Sequence, residues 1–87
     1  MRKRTEGHRA LEEWRRLHPE FRRPTDLARV VRLTPQAVSM WVTKLNVPDD
    51  VSQIILEDLA GIARRCWLDK KQNARLEGYL GGKLHAA

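Results

Sequence analysis

Apolar residues in this chain recur at spacings of three and four and never alternate, a pattern that predicts helices from end to end. A first helix runs from Thr5 or Glu6 to His18. Ala10, Leu11, Trp14, Leu17 and later Phe21 share one face, and Glu12, Glu13, Arg15 and Arg16 point outward. Pro19 disfavours helical geometry at His18, and Gly7 weakens the helix start. A second helix opens at Pro24, pre-organised for a first helical position, and stops near Arg32 with Leu27, Ala28 and Val31 as its inner stripe. A third opens at Thr34-Pro35, where Thr34 is a good N-cap. Val38 and Trp41 form its apolar edge. A fourth starts near Pro48 or Asp49 and runs to Ala60. Val51, Ile54, Ile55, Leu59 and then Ile62 make its stripe the strongest in the chain, and Gly61 suits a left-handed cap. Residues 66–80 predict a weaker fifth helix with Leu68, Leu76, Tyr79 and Leu80 as a partial stripe. Gly78, Gly81 and Gly82 predict that order decays before the terminus. The fold class is therefore all-α, a compact bundle of four to five helices, with a domain over residues 1–68 and a C-terminal segment over residues 69–87.

Composition narrows this. At 87 residues there is room for one small domain, too small for a deep, dry active site. A hydrophobic content of 41% is too high for a disordered chain. No apolar run is long enough to span a membrane, and none follows Arg2-Lys3-Arg4 as a signal peptide would require. Cys66 stands alone and forms no internal disulfide, so the expected compartment is cytoplasmic.

Charge adds a direction. The chain carries +6 overall, unevenly placed. Residues 1–44 hold eleven bases and five acids, whereas residues 45–63 hold four acids (Asp49, Asp50, Glu57, Asp58) and no base. Residues 64–87 return to a net +4. A basic half beside an acidic segment suits a protein with one face toward a polyanion and another turned away.

Two short helices joined at Arg32-Leu33-Thr34 meet the demands of a helix-turn-helix. Ala28 is small where the helices cross, and Leu27, Val31, Leu33, Val38 and Trp41 are apolar to lock the crossing. The third helix also carries small polar groups and a methionine on its open face instead of Glu and Lys. At these residues the chain resembles the lambda-repressor-like family of phage Cro proteins, phage repressors and XRE-type regulators. The resemblance rests on Leu27-Ala28, Val31, Leu33-Thr34, Ala37-Val38-Ser39 and Trp41, then Val47-Pro48, Leu59-Ala60-Gly61-Ile62 and Trp67-Leu68. It covers roughly residues 23–68. Two positions depart from it: Arg32 stands where the family usually has glycine, and Pro24 where it often has glutamine.

The resemblance implies a sequence-specific regulator of transcription that binds double-stranded DNA at an inverted-repeat operator and represses a phage or mobile-element promoter by occupancy. Carried over residue by residue, Pro35, Gln36, Ser39, Met40 and Thr43 would read bases. Gln36 matches the N6 and N7 edge of adenine, and Met40 suits a thymine methyl. Arg22, Arg23, Arg29, Arg32, Thr34 and Lys44 flank the motif as phosphate contacts. Arg2, Lys3 and Arg4 form either a basic arm or an unspecific terminus.

One recognition helix covers too few base pairs to select a site, so a homodimer is expected. Leu56, Trp67, Leu76, Tyr79 and Leu80 are its candidate contacts, although Trp67 and Leu68 folding back on the first helix is an open alternative. An enzyme is not expected. His8, His18, His85 and Cys66 have no metal spacing, and no phosphate-binding loop, cofactor motif or small-molecule site is evident. The competing reading is a small helical protein-interaction module, antitoxin-like, favoured by Val30 and Val42.

Overall fold

Thr5 opens the first helix by exchanging hydrogen bonds with His8. The Thr5 hydroxyl accepts the His8 N–H at 3.3 Å, and the Thr5 N–H donates to His8 Nδ1 at 3.0 Å. In the computed structural model, which describes the backbone of residues 3–85 and the side chains of residues 3–82, this helix is α1 (Glu6–Leu17). It ends where His18 leaves helical dihedrals before Pro19. One 3₁₀ turn, Pro19–Phe21, then brings the Phe21 ring to 4.9 Å from Trp14, on which His18 stacks at 4.6 Å.

The next two helices are short and sharply bounded. α2 (Pro24–Val31) stops because Arg32 turns left-handed at φ 59°, which lets Leu33 donate its N–H back to the Ala28 carbonyl at 3.0 Å. α3 (Pro35–Thr43) is capped by Thr34, whose hydroxyl accepts the Ala37 N–H at 3.2 Å. It ends through a second left-handed residue, Leu45 at φ 56°, and the Asn46 N–H donates to the Met40 carbonyl. α4 (Asp50–Ala60) is capped by Asp49 and closed by left-handed Gly61. A 3₁₀ turn over Arg64–Trp67 follows, and then α5 (Lys70–His85), opened by reciprocal bonds between Asp69 and Gln72. The described residues contain helices and no strand.

The core draws on the first four helices and the second 3₁₀ turn. Leu11, Leu27, Val38, Trp41, Leu56 and Trp67 are its principal members, and α2 and α3 share the most extensive contact. Trp67 lies across the start of α1, in edge-to-face contact with His8 at 5.2 Å. A Cβ on Gly7 would sit 2.4 Å from the Trp67 ring, so Gly7 is the one residue that admits the indole. The Thr5 N–H requires a lone pair at His8 Nδ1, so the ring proton sits on Nε2 and is donated to the Asn46 carbonyl at 3.0 Å. His8 thereby ties the start of α1 to the loop after α3.

Several sequence expectations need correction. Leu56 and Trp67 are 0% and 1% exposed, so neither is available to a partner: both serve the core of their own chain. Trp67 takes the fold-back position on α1. The α4 stripe is rotated. Val51 and Ile54 stand 63% and 53% exposed, and Ser52 and Leu56 face inward in their place. Leu17 and Leu33 are exposed rather than inside. Gly7 is required by packing, not merely tolerated. α5 continues to His85 through all three glycines and makes no extensive contact with the other elements.

Candidate nucleic-acid interface

At about 100° per residue, Pro35, Ser39, Thr43, Gln36 and Met40 fall in sequence around one contiguous sector of α3. The buried pair Val38 and Trp41 occupies the opposite side. The core therefore orients this helix: burying Val38 and Trp41 against the other helices turns the other five residues outward. Four of the five are exposed and Ser39 is half-buried. No residue of α3 is ionisable. Its outward face offers an amide, two hydroxyls, a thioether and a proline ring.

The hydroxyls are not equivalent. Thr43 donates its proton to the Ser39 carbonyl at 2.9 Å, so its oxygen is left as an acceptor only. The Thr34 hydroxyl accepts one N–H as the cap of α3 and keeps its O–H free to donate. No hydrogen bond of the Gln36 amide or the Ser39 hydroxyl to another group is found among the described residues.

Cations flank the helix pair. Arg23 is committed to Asp26, with Nε 3.3 Å from one carboxylate oxygen, while the Arg23 N–H also approaches that oxygen. The hydrogen bond from the Arg23 side chain is the main cause that holds the Asp26 carboxyl below the ordinary carboxylate range. Arg22, Arg29, Arg32 and Lys44 have no carboxylate within ion-pair distance among the described residues. Arg32 projects from the left-handed turn that joins α2 to α3. Of the N-terminal cations, Arg2 lies outside the described residues and Arg4 pairs with Glu12 on α1.

No group of three His, Cys, Asp or Glu is placed to hold a metal ion among the described residues. No helix there is long and apolar enough to cross a membrane. Comparison of the chain with protein-family models, curated proteins and solved structures finds no match.

Sequence reasoning missed two contributors to the site's support. His8 read as a scattered histidine, yet it braces the loop that ends α3. The Thr5-x-x-His8 spacing was the available signal, because it matches a capping pair with His in the place of Glu. Leu45 gave no signal: a left-handed, half-buried leucine is set by the loop's closure and not by its own preference.

Proposed function

We propose that this chain binds double-stranded DNA in a sequence-specific way and regulates transcription by occupying an operator. α3 would enter the major groove. The observation that carries this reading is the uncharged, hydrogen-bonding outer face of α3 on a chain of +6, flanked by Arg22, Arg29, Arg32 and Lys44, which have no carboxylate within ion-pair distance among the described residues. A solvated helix face on so basic a chain would ordinarily hold Lys, Arg and Glu. An α-helix measures about 10–12 Å across with its side chains, which suits a major groove about 12 Å wide. In this reading Gln36 recognises adenine and Met40 meets a thymine methyl. Ser39 and Thr43 complete the readout beside Pro35. Arg22, Arg29, Arg32 and Lys44 hold phosphates, while Arg23 contributes less because Asp26 occupies it. A pair of copies on an inverted repeat supplies enough base pairs to define a site. Repression of a phage or mobile-element promoter is the role that the resemblance in residues 23–68 suggests.

A second reading has support in Val30 and Val42, both exposed on α2 and α3. In it the chain is a protein-interaction module and DNA is secondary. Duplex affinity measured from about 50 to 200 mM salt separates the two. Four to six phosphate contacts per copy predict a fall of about a hundredfold to a thousandfold per copy, whereas an apolar interface predicts little change. Gln36→Ala then identifies the reader. It is expected to cost about 1–3 kcal/mol on the specific site and to relax preference at one base pair, with unspecific affinity unchanged. A uniform loss across sequences would make Gln36 a phosphate contact or a structural residue.

A further inference from the structure

α5 is a helix with little tertiary support beyond the Asp69–Gln72 bonds that open it. It runs for sixteen residues without extensive contact with the other elements and contains Gly78, Gly81 and Gly82. None of these has a neighbouring group within 4 Å of where a Cβ would stand. Three interior glycines strongly disfavour a helix, and isolated helices of this length are marginal in water even with good formers. Leu76, Tyr79 and Leu80, at i, i+3 and i+4, nonetheless share one face, with Tyr79 63% exposed and the two leucines half-buried. The segment is basic: Lys70, Lys71, Arg75 and Lys83 against Glu77.

α4 presents the complementary surface. Its outward sector brings together Val51, Ile54, Asp50, Glu57 and Asp58. Two branched apolar side chains, each more than half exposed, are thus interleaved with three carboxylates. Arg64 pairs with Asp50 at 3.3 Å and donates its N–H to Glu57, which leaves this face net acidic. It is the acidic surface of an otherwise basic chain.

We infer that α5 of one copy docks on the Val51–Ile54–Asp58 face of α4 in a second copy. The exchange is reciprocal about a two-fold axis. Leu76, Tyr79 and Leu80 cover Val51 and Ile54, and Arg75 faces the α4 carboxylates. A two-fold pair buries this contact twice, which completes the partial burial that Leu76 and Leu80 have within their own chain. This deepens the two-copy element of the proposed function by naming its interface. It differs from the sequence expectation in using Val51 and Ile54, where Leu56 and Trp67 had been candidates.

Sedimentation equilibrium of the full chain without DNA tests it. The wild type is expected at twice the 10.1 kDa chain mass. Ile54→Lys and Leu80→Lys are each expected at one chain mass, with the α1–α4 helical signal retained and that of α5 reduced. Asp58→Lys and Arg75→Glu each weaken association by about fivefold, and the two together recover it. Three results would overturn the inference: a monomeric wild type, a dimer that survives Ile54→Lys but not Leu80→Lys (α5 pairing with α5), or failure of the double charge exchange to recover association. Duplex binding, assayed separately at low salt, keeps the proposals apart. A monomer that binds DNA removes only the interface, and a dimer that ignores DNA removes only the operator reading.

Discussion

Gly7 and Trp67 show how much one missing methyl decides in this protein. The indole is 1% exposed and lies where any Cβ at position 7 would intrude. The indole Nε1–H has no partner among the described residues, so the contact is held by shape. Gly7→Ala is expected to destabilise the fold by about 1–3 kcal/mol despite alanine's better helix propensity, which chemical denaturation of the variant would measure. A stabilised variant would mean that Trp67 is seated elsewhere. Arg32 poses the converse case. Its left-handed backbone favours glycine, and the side chain is exposed. Arg32→Gly is expected to raise stability by about 1 kcal/mol and, on the DNA reading, to lower duplex affinity with a salt slope reduced by about one. Melting and binding isotherms on the same variant test both halves; affinity unchanged at every salt concentration would remove Arg32 from the phosphate set.

At the scale of elements, two helix starts carry a pH dependence. Asp49 caps α4, where the Ser52 hydroxyl donates to its Oδ1 at 2.5 Å and the Ser52 N–H to its Oδ2 at 3.3 Å. These bonds, the hydroxyl foremost, hold its carboxyl below the ordinary range. Asp26 at the start of α2 is lowered in the same direction by Arg23. A carboxylate whose folded pKa is depressed stabilises the fold above its unfolded pKa and stops doing so as pH falls through the folded one. The melting temperature is therefore expected to be level near neutrality and to fall below about pH 4. Ser52→Ala removes the strongest of these donors and should shallow that fall. An unchanged acid limb in this variant would mean that Asp49 is not a source of the dependence.

The starts of α2, α3 and α4 and the end of α4 were legible because local chemistry sets them, whereas α5 runs over Lys70–His85 and not over the expected residues 66–80. Thr34, Asp49, Pro24, Pro35 and Gly61 act within a few residues of their own position, and each starts or stops a helix where its side chain or backbone requires. The phase of α4 was not legible. Val51, Ile54, Ile55, Leu56 and Leu59 place apolar groups around most of the helix, so several arcs qualify as the inner one. α2 and the Arg64–Trp67 turn choose the arc holding Leu56 and Ser52, because those elements pack on α4 there.

For the whole molecule, small size makes each core side chain count. At 87 residues a total stability of about 4–13 kcal/mol is usual, and Trp41 is one of the two buried residues of α3. Trp41→Ala is expected to cost about 3–5 kcal/mol. Its duplex affinity should fall only in step with the unfolded fraction, which circular dichroism during a binding titration would follow. A folded variant that no longer binds would place the indole in the DNA interface.

The outer face of α3 was readable from spacing alone, since Val38 and Trp41 had to turn inward and the helical repeat then dictates which residues turn out. What the chain could not declare locally were contacts between residues far apart in sequence. Trp67 folds onto Gly7 rather than outward, and His8 reaches the carbonyl of Asn46. Val51 and Ile54 are left at the surface, and α5 follows the core without extensive contact with the other helices. Short-range preferences determine where a helix begins, ends and is amphipathic. Which apolar residues find a place inside depends on competition among all the faces at once for a core too small to take every one of them.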